Sequence, residues 1–288
     1  MEQVAIRSES LRATVSPQGA ELRSLTMADG AELLWDGDPA FWTGRSPLLF
    51  PVVGKLAGDT LRHQNKAYPM PQHGFARRSR FRLVEQWDAG CVFALSDSPE
   101  TRAAYPFAFD LRAGYRLAGP SLEMAVRVYN PGTEDLPVSF GFHPAFRWPL
   151  VPGAAREEHS ILFERDEPDP IRRAAGGLLR PDALPTPVAG DTLRLHDGLF
   201  ADDAIVMDRH ASRTLRYVGP SGPAIELRFP DMPHLGIWSK PGAGFVCLEP
   251  WQGHASPQGF DGEFRDKPGV VLVPPGGERG WTLTVTVA

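Results

Sequence analysis

The stretch FDLRAGYRLAGPSLEMAVRV, Phe109 to Val128, decides the fold class. In its first half Phe109, Leu111, Ala113, Tyr115 and Leu117 alternate with Asp110, Arg112, Gly114 and Arg116. In its second half Leu122, Met124, Val126 and Val128 alternate with Glu123, Ala125, Arg127 and Tyr129. A period of two sends successive side chains to opposite faces of a strand, one toward a core and one toward water. Ala118-Gly119-Pro120-Ser121, between the halves, has a turn composition, so the stretch predicts a β-hairpin.

Working outward, the C-terminus repeats the pattern: Trp281, Leu283, Val285 and Val287 alternate with Thr282, Thr284 and Thr286. Further strands are expected over Val4 to Val15, Phe81 to Ser96, Ile205 to Val206, Leu215 to Val218, Ile225 to Phe229, Phe245 to Leu248 and Val270 to Val273. Hardly any long window repeats at 3.6, which leaves room for short helices near Ala40 to Phe41 and Ser98 to Ala104. The 29 glycines and 29 prolines are scattered, as many short strands joined by tight turns require. The expectation is one all-β domain over residues 1–288, a sandwich or barrel, with Val151 to Pro187 as a long surface loop.

Composition bounds the function. The 288 residues carry a formal charge of −5 and are 42% hydrophobic, the profile of a soluble globular protein. The opening MEQVAIRSES lacks the apolar core of a signal peptide, and no run approaches the roughly 18 apolar residues of a membrane span. The balance is mildly acidic and no basic run exceeds Ala76 to Arg82, so neither nucleic acid nor membrane is an expected partner. Cys91 and Cys247 are too few for a disulfide framework and read as buried thiols of a cytoplasmic protein.

Familiar catalytic signatures are missing: the chain has no HExxH, CxxC, GxSxG or Walker loop. The nearest glycine-rich segment, PGAGFVC, has Cys247 where a dinucleotide loop needs its third glycine. What stands out is polar chemistry in apolar settings. His143 lies in SFGFHPAF and Glu249 in GFVCLEPW, at the end of an apolar strand where a carboxylate is costly unless paired or employed. Each has a structural alternative: a satisfied core histidine, or a strand-end carboxylate turning to solvent. His73, in PQHGFARR, could cap a turn before Gly74; Trp238 and Trp251 could be core or could offer an aromatic face to a pyranose ring.

Taken together, SPLLFPVVGKL (Ser46 to Leu56), PQHGFARRSRF (Pro71 to Phe81), SPETRAAYPFAFDLRAGYRL (Ser98 to Leu117), VYNPGTEDLPVSFGFHPAF (Val128 to Phe146) and LGIWSKPGAGFVCLEPWQG (Leu235 to Gly253) resemble the aldose 1-epimerase, or galactose mutarotase-like, family in its LacX-like branch. They come in the family's order and span nearly the whole chain. The resemblance implies a β-supersandwich of large antiparallel sheets with an open cleft on one of them. It implies His143 as general acid, Glu249 as general base and His73 as a sugar-binding residue. The family's binding arginine has no clean counterpart, leaving Arg45, Lys55 or Arg77; a binding aspartate falls in LFADDAIVMD, Asp203 before Asp208, and Trp238 joins the binding set.

The implied reaction interconverts the α and β anomers of a free aldohexose. A base removes the C1 hydroxyl proton while an acid protonates the ring oxygen; the ring opens to an aldehyde, rotates about C1–C2 and closes again. Neither metal nor cofactor is needed, and the only partner expected is a small sugar, the protein being a monomer or homodimer. Three rivals remain: a hexose-6-phosphate mutarotase, a non-catalytic carbohydrate-binding protein, and a glycoside hydrolase, which would need a second placed carboxylate.

Overall fold

The two strands of the quoted hairpin run Asp110–Ala118 and Ser121–Tyr129, paired antiparallel from Ala118↔Ser121 to Asp110↔Tyr129. The strand Glu278–Val287 pairs with the hairpin's second arm. In this computed structural model, which describes residues 3–288, these three strands form the middle of a nine-stranded antiparallel sheet. In order it runs Thr192–Arg194, Ser160–Phe163, Thr214–Val218, Ile225–Arg228, Glu278–Val287, Ser121–Tyr129, Asp110–Ala118, Gly90–Ser96 and Arg82–Trp87. Met1 and Glu2, part of the opening segment read above, lie outside the described residues.

A second, six-stranded sheet runs Ile205–Met207, His234–Trp238, Phe245–Gln252, Phe140–Phe142 and Leu48–Leu49, with Ala145–Arg147 also pairing to Phe245–Gln252. One continuous core takes Leu111, Tyr115, Met124, Val126, Trp281 and Leu283 from the large sheet and Phe140, Phe142, Ile237, Val246 and Leu248 from the smaller one. Phe140 stacks on Trp281 across the two layers at 5.0 Å. Each such fully buried side chain contributes about 1.5–3 kcal/mol relative to exposure. The smaller sheet is apolar on both faces: Leu49, Val206 and Trp251 form a separate cluster on its far side.

Several expectations need correction. Val4 to Val15 is two strands, Val4–Arg7 and Leu11–Val15, because the inward positions change parity from Val4 and Ile6 to Leu11, Ala13 and Val15; the Ser8 hydroxyl accepts the Leu11 amide in the turn. Phe81 to Ser96 likewise divides into Arg82–Trp87 and Gly90–Ser96, and a side chain at Gly90 would meet the Trp87 ring. The helix near Ser98 to Ala104 exists as Pro99–Arg102, with Ser98 and Thr101 capping each other. Ala40 to Phe41 is only a turn, folded around the Asp38 carbonyl and carboxylate. Val151 to Pro187 is not loop throughout: Ser160–Phe163 is a strand of the large sheet, and Ala174–Ala175 pairs with Leu178–Leu179. Cys91 and Cys247 are buried free thiols, as expected.

Candidate active site

The strand Phe245–Gln252 is buried along its whole length, so parity decides which neighbours each residue meets. Val246 and Leu248 point into the main core. Phe245, Cys247, Glu249 and Trp251 share the opposite face. There Phe245 and Cys247 join Trp35 and Ala145, Trp251 joins Leu49, Val53, Leu179 and Val206, and Glu249 stands between the two clusters. The strand is longer than expected, so Glu249 lies inside it and not at its end. The indole of Trp251 lies across the adjacent strands because Gly141 and Gly236 face it; a Cβ at either would come within 2.6 Å of the ring.

His143 interrupts the neighbouring edge. Gly141 pairs with Trp251 and Ala145 with Cys247, so the register sets His143 opposite Glu249 in a gap between two short strands. Opposite residues of one face come close enough to interact directly. Here His143 Nε2 is 3.2 Å from Glu249 Oε2, with both side chains more than nine-tenths buried. The approach is not aligned as a hydrogen bond: Glu249 Oε2 and His143 Nδ1 are both shut off from solvent and without a hydrogen-bond partner. Trp42 stacks on the imidazole at 4.8 Å and 26°, and Trp238 meets it edge-on.

These groups open onto a cleft of about 250 Å³. Trp42, Trp238 and Trp251 supply aromatic wall, while Gln72, His73, Arg77 and Asp203 supply polar groups around the rim. His73 combines a turn position with a place on the cleft wall. It sits at positive φ in a turn, exchanging hydrogen bonds with Gly54, whose amide donates to Nδ1 at 3.1 Å. With Nδ1 accepting, Nε2 carries the proton and His73 presents a donor. Asp203 is presented by a turn that Arg173 ties down through the carbonyls of Leu199 and Asp203.

Not every anticipated binding residue reaches the cleft. Arg77 lines it, its guanidinium donating to the Gln72 carbonyl. Lys55 does not: its ammonium pairs with Asp59 at 3.4 Å while its stem covers Gly177. Arg45 is held elsewhere, donating to the Arg23 carbonyl, and Asp208 pairs with Arg172. Trp42, Gln72 and Arg173 carried no signal beyond position: the first precedes the SPLLF segment, the second adjoins His73, and the third lies in the stretch read as loop. That stretch provides Ala174, Gly177 and Leu179 as one wall.

Burial dominates the electrostatics. It pushes the Glu249 carboxyl well up, with Asp203 adding to the shift and the Trp251 indole opposing it. It pushes His143 down, and His73 well down, the latter helped by His143 and Arg77. Burial thus disfavours charge on both members of the His143–Glu249 pair and widens the pH range over which the pair holds one proton. One acid and one base, within contact of each other and open to a cleft, can move a proton onto one atom of a ligand and off another. Cys247 lies beside them: its sulfur, an imidazole nitrogen and a carboxylate oxygen all fall within 4.8 Å of one another.

The aldose 1-epimerase family model matches residues 2–268. Two LacX proteins of Lactococcus lactis subsp. lactis, plasmid and chromosomal, are each 33% identical over 283 residues, spanning 94% of this chain and 95% of theirs. A galactose mutarotase-like protein from Lactobacillus casei has a TM-score of 0.92 at 29% identity, with 100% of both chains covered. A galactose mutarotase related enzyme from Lactobacillus acidophilus has a TM-score of 0.90 at 28% identity, covering 100% of this chain and 97% of that one. The fold is therefore galactose mutarotase-like, as the sequence segments implied. Among the described residues no helix is long and apolar enough to cross a membrane.

Proposed function

The chain belongs to the aldose 1-epimerase family, and from that premise we propose that it interconverts the α and β anomers of a free aldohexose by acid–base ring opening at His143 and Glu249. The observation that carries the proposal is their approach at 3.2 Å without hydrogen-bond alignment. O1 and the ring oxygen of a pyranose both hang on C1, so the acid and base must converge on one small region. A hemiacetal placed there brings a hydroxyl donor to Glu249 and a ring-oxygen acceptor to His143.

Glu249 takes the O1 proton while His143 delivers one to the ring oxygen, and the ring bond breaks to the aldehyde. After rotation about C1–C2, the same two groups run the transfers backward on the other face. The pair ends each turnover with the single proton it began with. His73 and Asp203 hold hydroxyls, and the tryptophans receive the apolar face of the ring.

The cleft's charge favours a neutral sugar over a phosphorylated one. Arg77 is the only cation among its lining residues and Asp203 opposes it, while Lys55 is paired outside. The test is anomeric exchange by polarimetry or NMR with freshly dissolved α-glucose and α-galactose beside glucose 6-phosphate. Acceleration for a free sugar is expected. Absence of acceleration over buffer across several aldoses overturns the reading, and a preference for the phosphate ester overturns its substrate class.

A further inference from the structure

Cys247 has no part in ring opening, yet it faces the same way as Glu249 from one turn of the pleat away. Its sulfur, a nitrogen of His143 and an oxygen of Glu249 lie within 4.8 Å of one another, each on a buried residue. Sulfur, imidazole nitrogen and carboxylate oxygen form the donor set of a three-ligand site for a thiophilic divalent cation, the fourth position being left open. We propose that a thiophilic divalent cation such as Zn2+ binds between His143, Cys247 and Glu249, with its open position toward the cleft, and excludes the sugar.

The spacing supports tetrahedral coordination. With bonds of about 2.0–2.2 Å, nitrogen and oxygen ligands of a tetrahedral zinc stand roughly 3.3 Å apart. His143 Nε2 and Glu249 Oε2 already stand 3.2 Å apart, misaligned for a hydrogen bond between themselves, and Oε2 has no other partner. A cation between them accepts a lone pair from each. The sulfur completes a third side after a small rotamer change, and its thiol proton leaves on coordination. The surroundings are apolar: Trp35, Ala145, Ala243 and Phe245 pack around Cys247, with Trp42 and Trp238 beside them.

Hard cations are a poor match. Mg2+ asks for octahedral oxygen and gives up water reluctantly, whereas this site offers one oxygen, one nitrogen and one sulfur. His143 Nδ1 has no outer partner to orient the ring, so binding is weaker than in a dedicated zinc site and reversible by a chelator. The binding stands on the side-chain cluster alone; its effect on turnover rests on the acid–base reading above.

Co2+, which takes zinc sites and is coloured, is the probe. Titrating the intact protein is expected to produce one equivalent of intense tetrahedral visible bands with a near-ultraviolet thiolate-to-cobalt band, displaced by Zn2+ and not by Mg2+. Cys247→Ser abolishes the thiolate band and Cys91→Ser retains it. His143→Gln and Glu249→Gln each weaken cobalt binding by roughly tenfold or more. A wild-type titration without a thiolate band overturns the proposal, and needs no variant to fold. A band that survives Cys247→Ser overturns it equally. Should the metal-free protein fail to accelerate anomeric exchange while the cobalt bands appear as described, the turnover reading falls and the cation site stands.

Discussion

Two groups of buried and half-buried histidines flank the strand Phe245–Gln252, and they behave differently. One holds His143 and His73 around Glu249. The other gathers His234, which pairs with Trp251 in the ladder, His254 just beyond the strand, His210 and the buried ammonium of Lys267. Burial lowers the pKa of every one of these histidines. A perturbed imidazole therefore does not separate a working site from a packed one. What separates them is access to the cleft and, for most members, the use of their polar atoms. His234 Nδ1 accepts the Gly253 amide, Nδ1 of His254 and of His210 meet backbone carbonyls at 2.8 Å, and Lys267 donates to the carbonyls of His254 and Pro268. Most polar atoms of that group are spent on backbone, although His210 Nε2 has no partner, and none of its members lines the cleft onto which the His143–Glu249 pair opens.

The comparison can be broken at four points. Glu249→Gln carries the largest expected effect, a fall in exchange rate of about 10²–10⁴-fold with near-ultraviolet circular dichroism unchanged. Full activity in that variant would remove the base from its role and the distinction between the two groups with it. His143→Gln is expected to lose roughly 10²-fold at saturating sugar, since ring opening needs both an acid and a base and neither member replaces the other. A loss confined to KM would recast His143 as a binding residue.

A pH profile of kcat/KM sharpens the contrast. His143 is lowered by burial, so the inactive doubly protonated pair forms only below the usual imidazole value; activity is lost as pH falls through that lowered value. Glu249 is raised, so the alkaline limb lies above the usual carboxylate range. An acid limb at or above about pH 6.5 would contradict the burial of the pair.

The smallest effect on turnover is expected from the second group. Lys267→Met should leave kcat within about twofold while changing stability, because buried donors removed from carbonyls cost roughly 1–3 kcal/mol. Burial lowers Lys267 from 10.5 to about 7, so between those values the folded protein binds fewer protons than the unfolded chain. Stability from this residue therefore rises with pH across that window and is lost as pH falls to about 7. Urea unfolding compared at about pH 7 and about pH 9 should show a shallower rise in the variant than in the parent. A large drop in kcat would show that the two groups are coupled.

Much of the fold was legible. The hairpin of Asp110–Ala118 and Ser121–Tyr129 and the terminal strand Glu278–Val287 were readable because alternation is a property of neighbouring residues. Errors fell where the signal is weak: at Ser8 to Ser10, where a parity change passes unnoticed inside an apolar run, and at Ser160–Phe163, whose alternation covers only four residues. His143 and Glu249 were found through the segments around them, and both reach the cleft together with His73, Arg77, Asp203 and Trp238. Lys55 was not excluded by sequence: its partner Asp59 is only four residues away, but only the fold brings Gly177 against its stem.

Residue order alone settled which side chains share a face: Cys247, Glu249 and Trp251 are on one side of their strand whatever surrounds it, because a strand repeats every two residues. Residue order could not say that this face would be hollow. The hollow exists because Gly141 and Gly236 let Trp251 lie flat, because the register sets His143 against Glu249, and because Arg173 ties the Asp203 turn over the opening. Those contacts join segments far apart in the chain, and their geometry depends on how two sheets pack around one core.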